Sequence, residues 1–157
     1  MKVAVFPGSF DPITVGHIDI LNRMSPLFDK IIIGIGNNTA KKYLFALEQR
    51  MEWIDKIFSH DDTFTVQPYD ELTIDFCKRN DAKYIIRGLR NTIDFNYEMS
   101  IAQLNKSMNE GIETIFTFCD PAYGHVSSSI VREIIKYNGD VSKFVPKVID
   151  DYVRSQY

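Results

Sequence analysis

The stretch Val3-Ala4-Val5-Phe6-Pro7-Gly8-Ser9-Phe10-Asp11-Pro12-Ile13-Thr14-Val15-Gly16-His17 decides the fold. An unbroken apolar run, Val3 to Phe6, stops at Pro7-Gly8. After a proline-punctuated loop a helical pattern starts near Gly16-His17, with Ile18, Leu21 and Met24 or Ser25 at helical spacing. A short run that is apolar at every position, with no alternation, is what a strand buried on both faces needs. Four further runs repeat the theme: Ile31 to Ile35, Phe64 to Val66, Tyr84 to Ile86 and Thr114 to Phe118.

Each run is followed by helical spacing. Leu47, Met51, Ile54 and Phe58 follow the second, and Leu72, Asp75, Phe76 and Arg79 the third. After the fourth, Tyr97, Ile101, Leu104 and Met108 line one face while Phe95, Met99 and Ala102 line another. Ile130, Ile134 and Tyr137 follow the fifth. A closing helix, about 146–155, carries Val148, Ile149, Tyr152 and Val153, with Pro146 near its first turn and Val145 just before it. Strand and helix in alternation predict one α/β domain over 1–157. It is a doubly wound, five-stranded parallel sheet with helices on both faces, a Rossmann-like architecture. Ligands of such sheets bind beyond the carboxyl ends of the strands, where the strand order reverses. The helix from Asp94 to Met108 is apolar on more than one face, which fits either deep burial or a contact between copies.

Composition narrows the function. At 157 residues and a formal net charge of −3, the chain is sized for one domain and has no basic field to hold nucleic acid. Cys77 and Cys119 have no CxxC spacing, so a disulfide framework or zinc site is not expected and a reducing cytoplasm is the simplest setting. The first apolar run is too short for a signal peptide or a membrane span.

The loops after the strands hold the chemistry. Gly8 and Gly16 allow close backbone approach, and a helix opening at Gly16-His17 offers unpaired N–H groups to an anion. Ser9 adds a hydroxyl and His17 an imidazole, although a plain tight turn with a helix-end histidine has the same letters. No GxxxxGK[ST] is present, and Gly34-Ile35-Gly36-Asn37-Asn38-Thr39 lacks the third glycine of a dinucleotide fingerprint. Lys41-Lys42 follows the second strand. Arg87-Gly88-Leu89-Arg90 leaves the fourth, where a guanidinium must find a carboxylate, a phosphate or water. It is either an anion clamp or a structural pair with Asp94 or Glu98. Ser127-Ser128-Ser129 opens a helix and can cap it. Ala46 stands where a capping Ser or Thr is usual, and His60 reads as a surface residue at a helix end.

Thr14-Val15-Gly16-His17 resembles the (H/T)xGH signature of the cytidylyl/adenylyltransferase superfamily. Ser127-Ser128-Ser129-Ile130-Val131-Arg132 is similar to its ISSTxxR motif, with Val126 in place of the Ile and Ser129 of the Thr. Ile86-Arg87-Gly88-Leu89-Arg90, followed by Asp94-Phe95 and Tyr97-Glu98, resembles the phosphopantetheine adenylyltransferases. The likeness runs from Val3 to about Val145. It implies transfer of the adenylyl group of ATP to 4′-phosphopantetheine, forming dephospho-coenzyme A and pyrophosphate without a covalent intermediate.

By that resemblance His17 and Lys41 are catalytic. Ser9, Phe10, His17, Gly88, Leu89, Arg90, Glu98, Tyr123, Gly124, His125, Val126, Ser127, Ser128 and Ser129 border ATP, with no particular role for His125. Ser9, Lys41, Thr73 and Arg87 hold phosphopantetheine, although Thr73 also suits a helix start. The acceptor is a phosphate monoester with a second pKa of about 6, so it needs no general base near neutrality. His17, Lys41, Arg87, Arg90 and two helix starts are expected to supply positive donors to the transferring phosphate. No carboxylate cluster suggests a metal cage, and Mg²⁺ is expected to arrive with the triphosphate. The family further implies a homohexamer and feedback binding of coenzyme A. The rivals are another nucleotidyltransferase of the superfamily, using CTP or nicotinamide mononucleotide, and a non-catalytic nucleotide- or coenzyme-binding regulator.

Overall fold

The computed structural model describes residues 1–156. Each of the apolar runs is a strand: β1 (Val3–Gly8), β2 (Lys30–Gly36), β3 (Phe64–Tyr69), β4 (Tyr84–Leu89) and β5 (Glu113–Phe118). They form one parallel sheet in the order β3-β2-β1-β4-β5. Successive side chains of a strand point to opposite faces, so the apolar runs feed two cores. Ala4, Phe6, Ile31, Ile33 and Ile35 enter one, and Val3, Val5 and Ile32 the other. The first is covered by α1 (Val15–Met24), α2 (Leu47–Phe58), α5 (Ser128–Lys136) and α6 (Lys147–Gln156). The second is covered by α3 (Thr73–Arg79), through Ile74, Phe76 and Cys77.

The remaining helix, α4 (Thr92–Met108), lies along β4 and β5, with Phe95 edge-on to Phe116 of β5 at 6.1 Å between ring centroids. Its deep burial, one of the two readings of its apolar faces, is not found within the chain. Every residue of α4 keeps solvent contact, and Ile93 and Tyr97 are 78% and 67% exposed. Two helix faces also differ from expectation. α5 buries Val131 and Ile135, while Ile130 and Tyr137 are exposed. Its rotation is set by Ser128 Oγ donating to Pro12 O and Arg132 Nη1 donating to Asp11 O, each 2.7–2.8 Å, which turns the neighbouring apolar positions inward. In α3, Leu72 stays outside and Ile74 and Cys77 join Phe76 inside, because so short a helix meets the sheet over a single turn. α6 begins one residue later than expected, after Pro146.

From β1 the chain steps outward to β2 and β3, then returns to place β4 on the other side of β1. The loops after β1 and β4 therefore part, and a crevice opens between them. One glycine shapes its wall, and another packs the core behind it. A Cβ on Gly88 would stand 2.2 Å from Ile20 Cδ1, so α1 packs directly over the end of β4. A Cβ on Gly34 would stand 2.7 Å from the Phe76 ring, so that glycine serves core packing and not a dinucleotide.

Candidate active site

Two cavities occupy the crevice. One, of about 260 Å³, is walled by Gly8, Thr14, Gly16 and His17 after β1, by Arg87, Gly88 and Arg90 of β4, and by Tyr123, Val126 and Ser127 to Ser129 after β5. The other, of about 270 Å³, is walled by Ser9, Lys41, Tyr43, Tyr69, Thr73 and the α4 residues Tyr97, Glu98 and Ile101. Pro7, Gly8, Arg87 and Glu98 line both, so the cavities meet at the ends of β1 and β4.

At the mouth of α1, Thr14 is the N-cap. Its backbone N–H donates to His17 Nδ1 at 3.1 Å, and its hydroxyl oxygen lies 2.9 Å from the same nitrogen. A nitrogen that accepts an N–H carries no proton, so the imidazole proton sits on Nε2. Burial foremost, then the charges of Arg87 and Arg90, push the His17 pKa from 6.5 down to about 4. His17 is therefore neutral near pH 7. The expectation that it adds positive charge is corrected: it is a donor without charge, because a cation buried beside two guanidiniums is disfavoured. The rings of Phe6 and Phe10 stand edge-on to it at 6.2 and 5.2 Å and hold its orientation.

At the mouth of α5 the three serine hydroxyls are already engaged. Ser127 Oγ accepts from Ile130 N at 3.2 Å, Ser128 Oγ donates to Pro12 O, and Ser129 Oγ accepts from Arg132 Nη2 at 3.1 Å. The first-turn N–H groups of Ser128 and Ser129 have no intrahelical partner, as in any helix, and both residues line the cavity. Gly16 holds the corresponding place in α1. Two helix N-termini thus converge on one cavity, each with about half a positive charge.

The arginines of β4 are in a different state. Arg87 grips Glu98 through Nε and Nη2 at 2.8 and 2.5 Å, and its Nη1 donates to Pro7 O at 2.6 Å. Arg90 grips Asp94 at 2.9 and 3.1 Å, which holds the Asp94 carboxyl below the usual range. The structural pairing and the cavity position, offered as alternatives by the sequence, hold together. Lys41 is exposed on the loop after β2, with no ion-pair partner among the described residues. Thr73 opens α3 and places its hydroxyl 3.2 Å from Tyr69 Oη, so it is both helix start and cavity wall.

Some expected residues do not present side chains here. Phe10 and Leu89 are buried in the core and can offer only backbone. Gly124 and His125 stand outside the lining, His125 edge-on to Phe144 at 6.1 Å.

Other residues escaped the sequence reading. The buried Asp11 carboxylate accepts the N–H groups of Leu44 and Phe45 at 2.8 and 2.9 Å, tying the loop after β1 to the one that carries Lys41. Arg50 is buried on α2. Arg132, read in the sequence only as the end of a motif, holds Asp11 O. The available signal for Arg50 was its spacing, three and four residues before Trp53 and Ile54 on an inward face. Phe10 has a φ of 45°, a left-handed conformation costing on the order of 1–3 kcal/mol for a non-glycine residue.

Residues 5–134 match the Cytidylyltransferase-like family. The chain belongs to that family of nucleotidyltransferases, whose sheet and crevice it shows. A crystal structure from Vibrio parahaemolyticus, provisionally named a nicotinate-nucleotide adenylyltransferase, superposes with a TM-score of 0.69 over 99% of this chain and 93% of that one; at 15% identity it speaks for the fold alone. Within the family the chain falls among the phosphopantetheine adenylyltransferases. It is 46% identical to that of Christiangramia forsetii over 95% of this chain and 98% of the relative. It is 48% identical to that of Cytophaga hutchinsonii over 92% and 97%, and 42% to that of Lachnoclostridium phytofermentans over 100% and 96%.

Proposed function

We propose that the paired cavities transfer the adenylyl group of ATP to 4′-phosphopantetheine, yielding dephospho-coenzyme A and pyrophosphate. ATP takes the cavity of the two helix mouths, and the acceptor takes the one beside Lys41 and Thr73. The observation that carries this reading is the shared wall. Pro7, Gly8, Arg87 and Glu98 border both cavities, so an anion in one faces an anion in the other.

An oxygen of the acceptor phosphate attacks the α-phosphorus. The new P–O bond forms as the α–β bridging bond breaks, and pyrophosphate departs with the electron pair. The attacking phosphate, with a second pKa of about 6, is already a dianion at neutral pH, so no base is required. What the protein supplies is placement and donors. His17 Nε2–H donates to an α-phosphate oxygen where negative charge builds. The N–H groups at the starts of α1 and α5 hold the rest of the triphosphate. Lys41, on its mobile stem, follows the charge as it moves. Arg87 turns part of its fork from Glu98 to the acceptor phosphate.

Asp94 and Glu98, the acidic side chains of the crevice, are both occupied by arginines. Mg²⁺ is therefore read as part of the substrate, carried by the triphosphate and water. The exposed apolar positions of α4 suit a homo-oligomer contact, a hexamer by family likeness, and the same likeness suggests coenzyme A as a feedback ligand of this site. No helix among the described residues is long and apolar enough to cross a membrane, and a cytoplasmic setting is proposed by family likeness.

The test is pyrophosphate release from ATP, Mg²⁺ and phosphopantetheine. Release is expected with that acceptor and is lost when pantetheine without its phosphate replaces it. Equal release with both acceptors, or release only with CTP, would refute the assignment.

A further inference from the structure

Arg50 is 1% exposed, yet no carboxylate lies within ion-pair distance of it among the described residues. Its Nη1 donates to Ser9 O at 2.7 Å and its Nε to Phe45 O at 3.1 Å, while its guanidinium stacks 4.2 Å above the Tyr43 ring. Tyr43 in turn donates to Gly36 O and accepts from Asn38 N. A buried cation that hydrogen-bonds only carbonyls, stacks on a ring and has the buried Asp11 charge near it but not paired with it is a poor way to fill a core, where an apolar side chain of similar volume is often as stabilising or more so. Its role is read from what it holds.

Ser9 lines the cavity of Lys41, and the next residue, Phe10, has the left-handed φ of 45° with its ring buried. In a planar trans peptide the C=O and the following N–H point in opposite directions. A Ser9 carbonyl drawn to Arg50 therefore turns the Phe10 N–H the other way, and that N–H has no acceptor among the described residues. The neighbouring carbonyls are held likewise: Pro7 O by Arg87, Asp11 O by Arg132 and Pro12 O by Ser128. With these carbonyls tethered by side chains from three other elements, the loop after β1 leaves the Phe10 N–H available for an anion.

We propose that Arg50 is a positioning residue that sets the Ser9–Phe10 peptide so that the Phe10 N–H faces phosphate, and that it links this loop to the one bearing Lys41. It touches no substrate and acts through Ser9, Tyr43 and Phe45. The inference rests on the reading of the crevice as a phosphate site, not on the identity of the acceptor.

The test compares wild type with Arg50→Met and Arg50→Lys by titration of inorganic pyrophosphate, following the Phe10 amide resonance, and by steady-state kinetics with ATP and phosphopantetheine. In wild type the Phe10 amide shifts on titration. In Arg50→Met the shift is lost, pyrophosphate binds tenfold or more weakly, and turnover falls by up to about 10²-fold, the cost of a small misplacement of reacting groups. The thermal midpoint stays within a few degrees of wild type. Arg50→Lys, which keeps one donor, recovers part of both. If Arg50→Met does not fold, Arg50→Lys carries the test alone, with an intermediate loss expected. A folded variant with a wild-type Phe10 shift and wild-type kinetics overturns the proposal. If wild type binds pyrophosphate through Phe10 but does not use phosphopantetheine, the acceptor assignment fails while the role of Arg50 stands.

Discussion

The helix mouths and the β4 arginines border the same crevice but meet a phosphate in different conditions. At the starts of α1 and α5 the donors are free: the N–H groups of Gly16, Ser128 and Ser129, and the Nε2–H of His17, which its capping bond aims outward. Nothing has to be displaced before they act, and none carries a formal charge. At the end of β4 the donors are formally charged and already taken, Arg87 by Glu98 and Arg90 by Asp94. An incoming phosphate there must exchange with a carboxylate. In the proposed reaction the mouths are preorganised for charge that develops at the transferring phosphate, whereas the arginines would select for a ligand anionic enough to compete. Preorganised donors raise turnover, and exchangeable ones govern affinity.

That contrast can be broken by mutation. The largest effect is expected for His17→Ala, which removes the donor that the proposed mechanism sets against the α-phosphate. Turnover should fall by about 10²-fold or more, with a smaller change in KM for ATP, as for loss of an oxyanion donor. Steady-state kinetics on the folded variant check this. Arg87→Ala should act mainly on phosphopantetheine affinity, lowering it by roughly tenfold or more. A charged hydrogen bond to a phosphate is worth about 1.5–3 kcal/mol before the cost of displacing Glu98 is subtracted. Calorimetry with that substrate would expose an unaffected site.

A third expectation concerns acid stability. His17 titrates near 6.5 in the unfolded chain and about 4 in the folded one, so below pH 6.5 the unfolded state takes up the proton first. The stability carried by neutral His17 is present above that pH and is lost as pH falls toward 4. Denaturant unfolding from pH 7 to 4 should show a shallower decline for His17→Gln than for wild type. The smallest effect is at the start of α2, where Ala46 occupies the N-cap without a side-chain bond. Ala46→Ser should add roughly 1 kcal/mol and leave turnover unchanged.

The sheet was legible because strands buried on both faces leave runs such as Ile31 to Ile35 that nothing else in the chain imitates. The glycines, His17, Lys41 and Arg87 were legible because each follows such a run, where a parallel sheet collects its loops. Helix faces were harder. The phase of α5 comes from Ser128 and Arg132 bonding across to Pro12 and Asp11, contacts more than a hundred residues apart in sequence. The apolar positions of α4 left two readings open, burial and a contact between copies, because period alone cannot say whether the cover is this chain or another copy. The neutrality of His17 lay outside the sequence for the same reason, since it depends on burial and on arginines contributed by β4. Arg50, Asp11 and Tyr43 passed as ordinary loop and helix residues, their work being done through backbone carbonyls and N–H groups that carry no letter of their own.

The most direct test of free, uncharged donors at the helix mouth is nitrogen-15 NMR of the His17 ring from pH 5 to 8. A bare Nδ1 and a protonated Nε2 throughout, with no titration in that range, is the predicted result. A midpoint near 6.5, or a proton on Nδ1, would contradict the account.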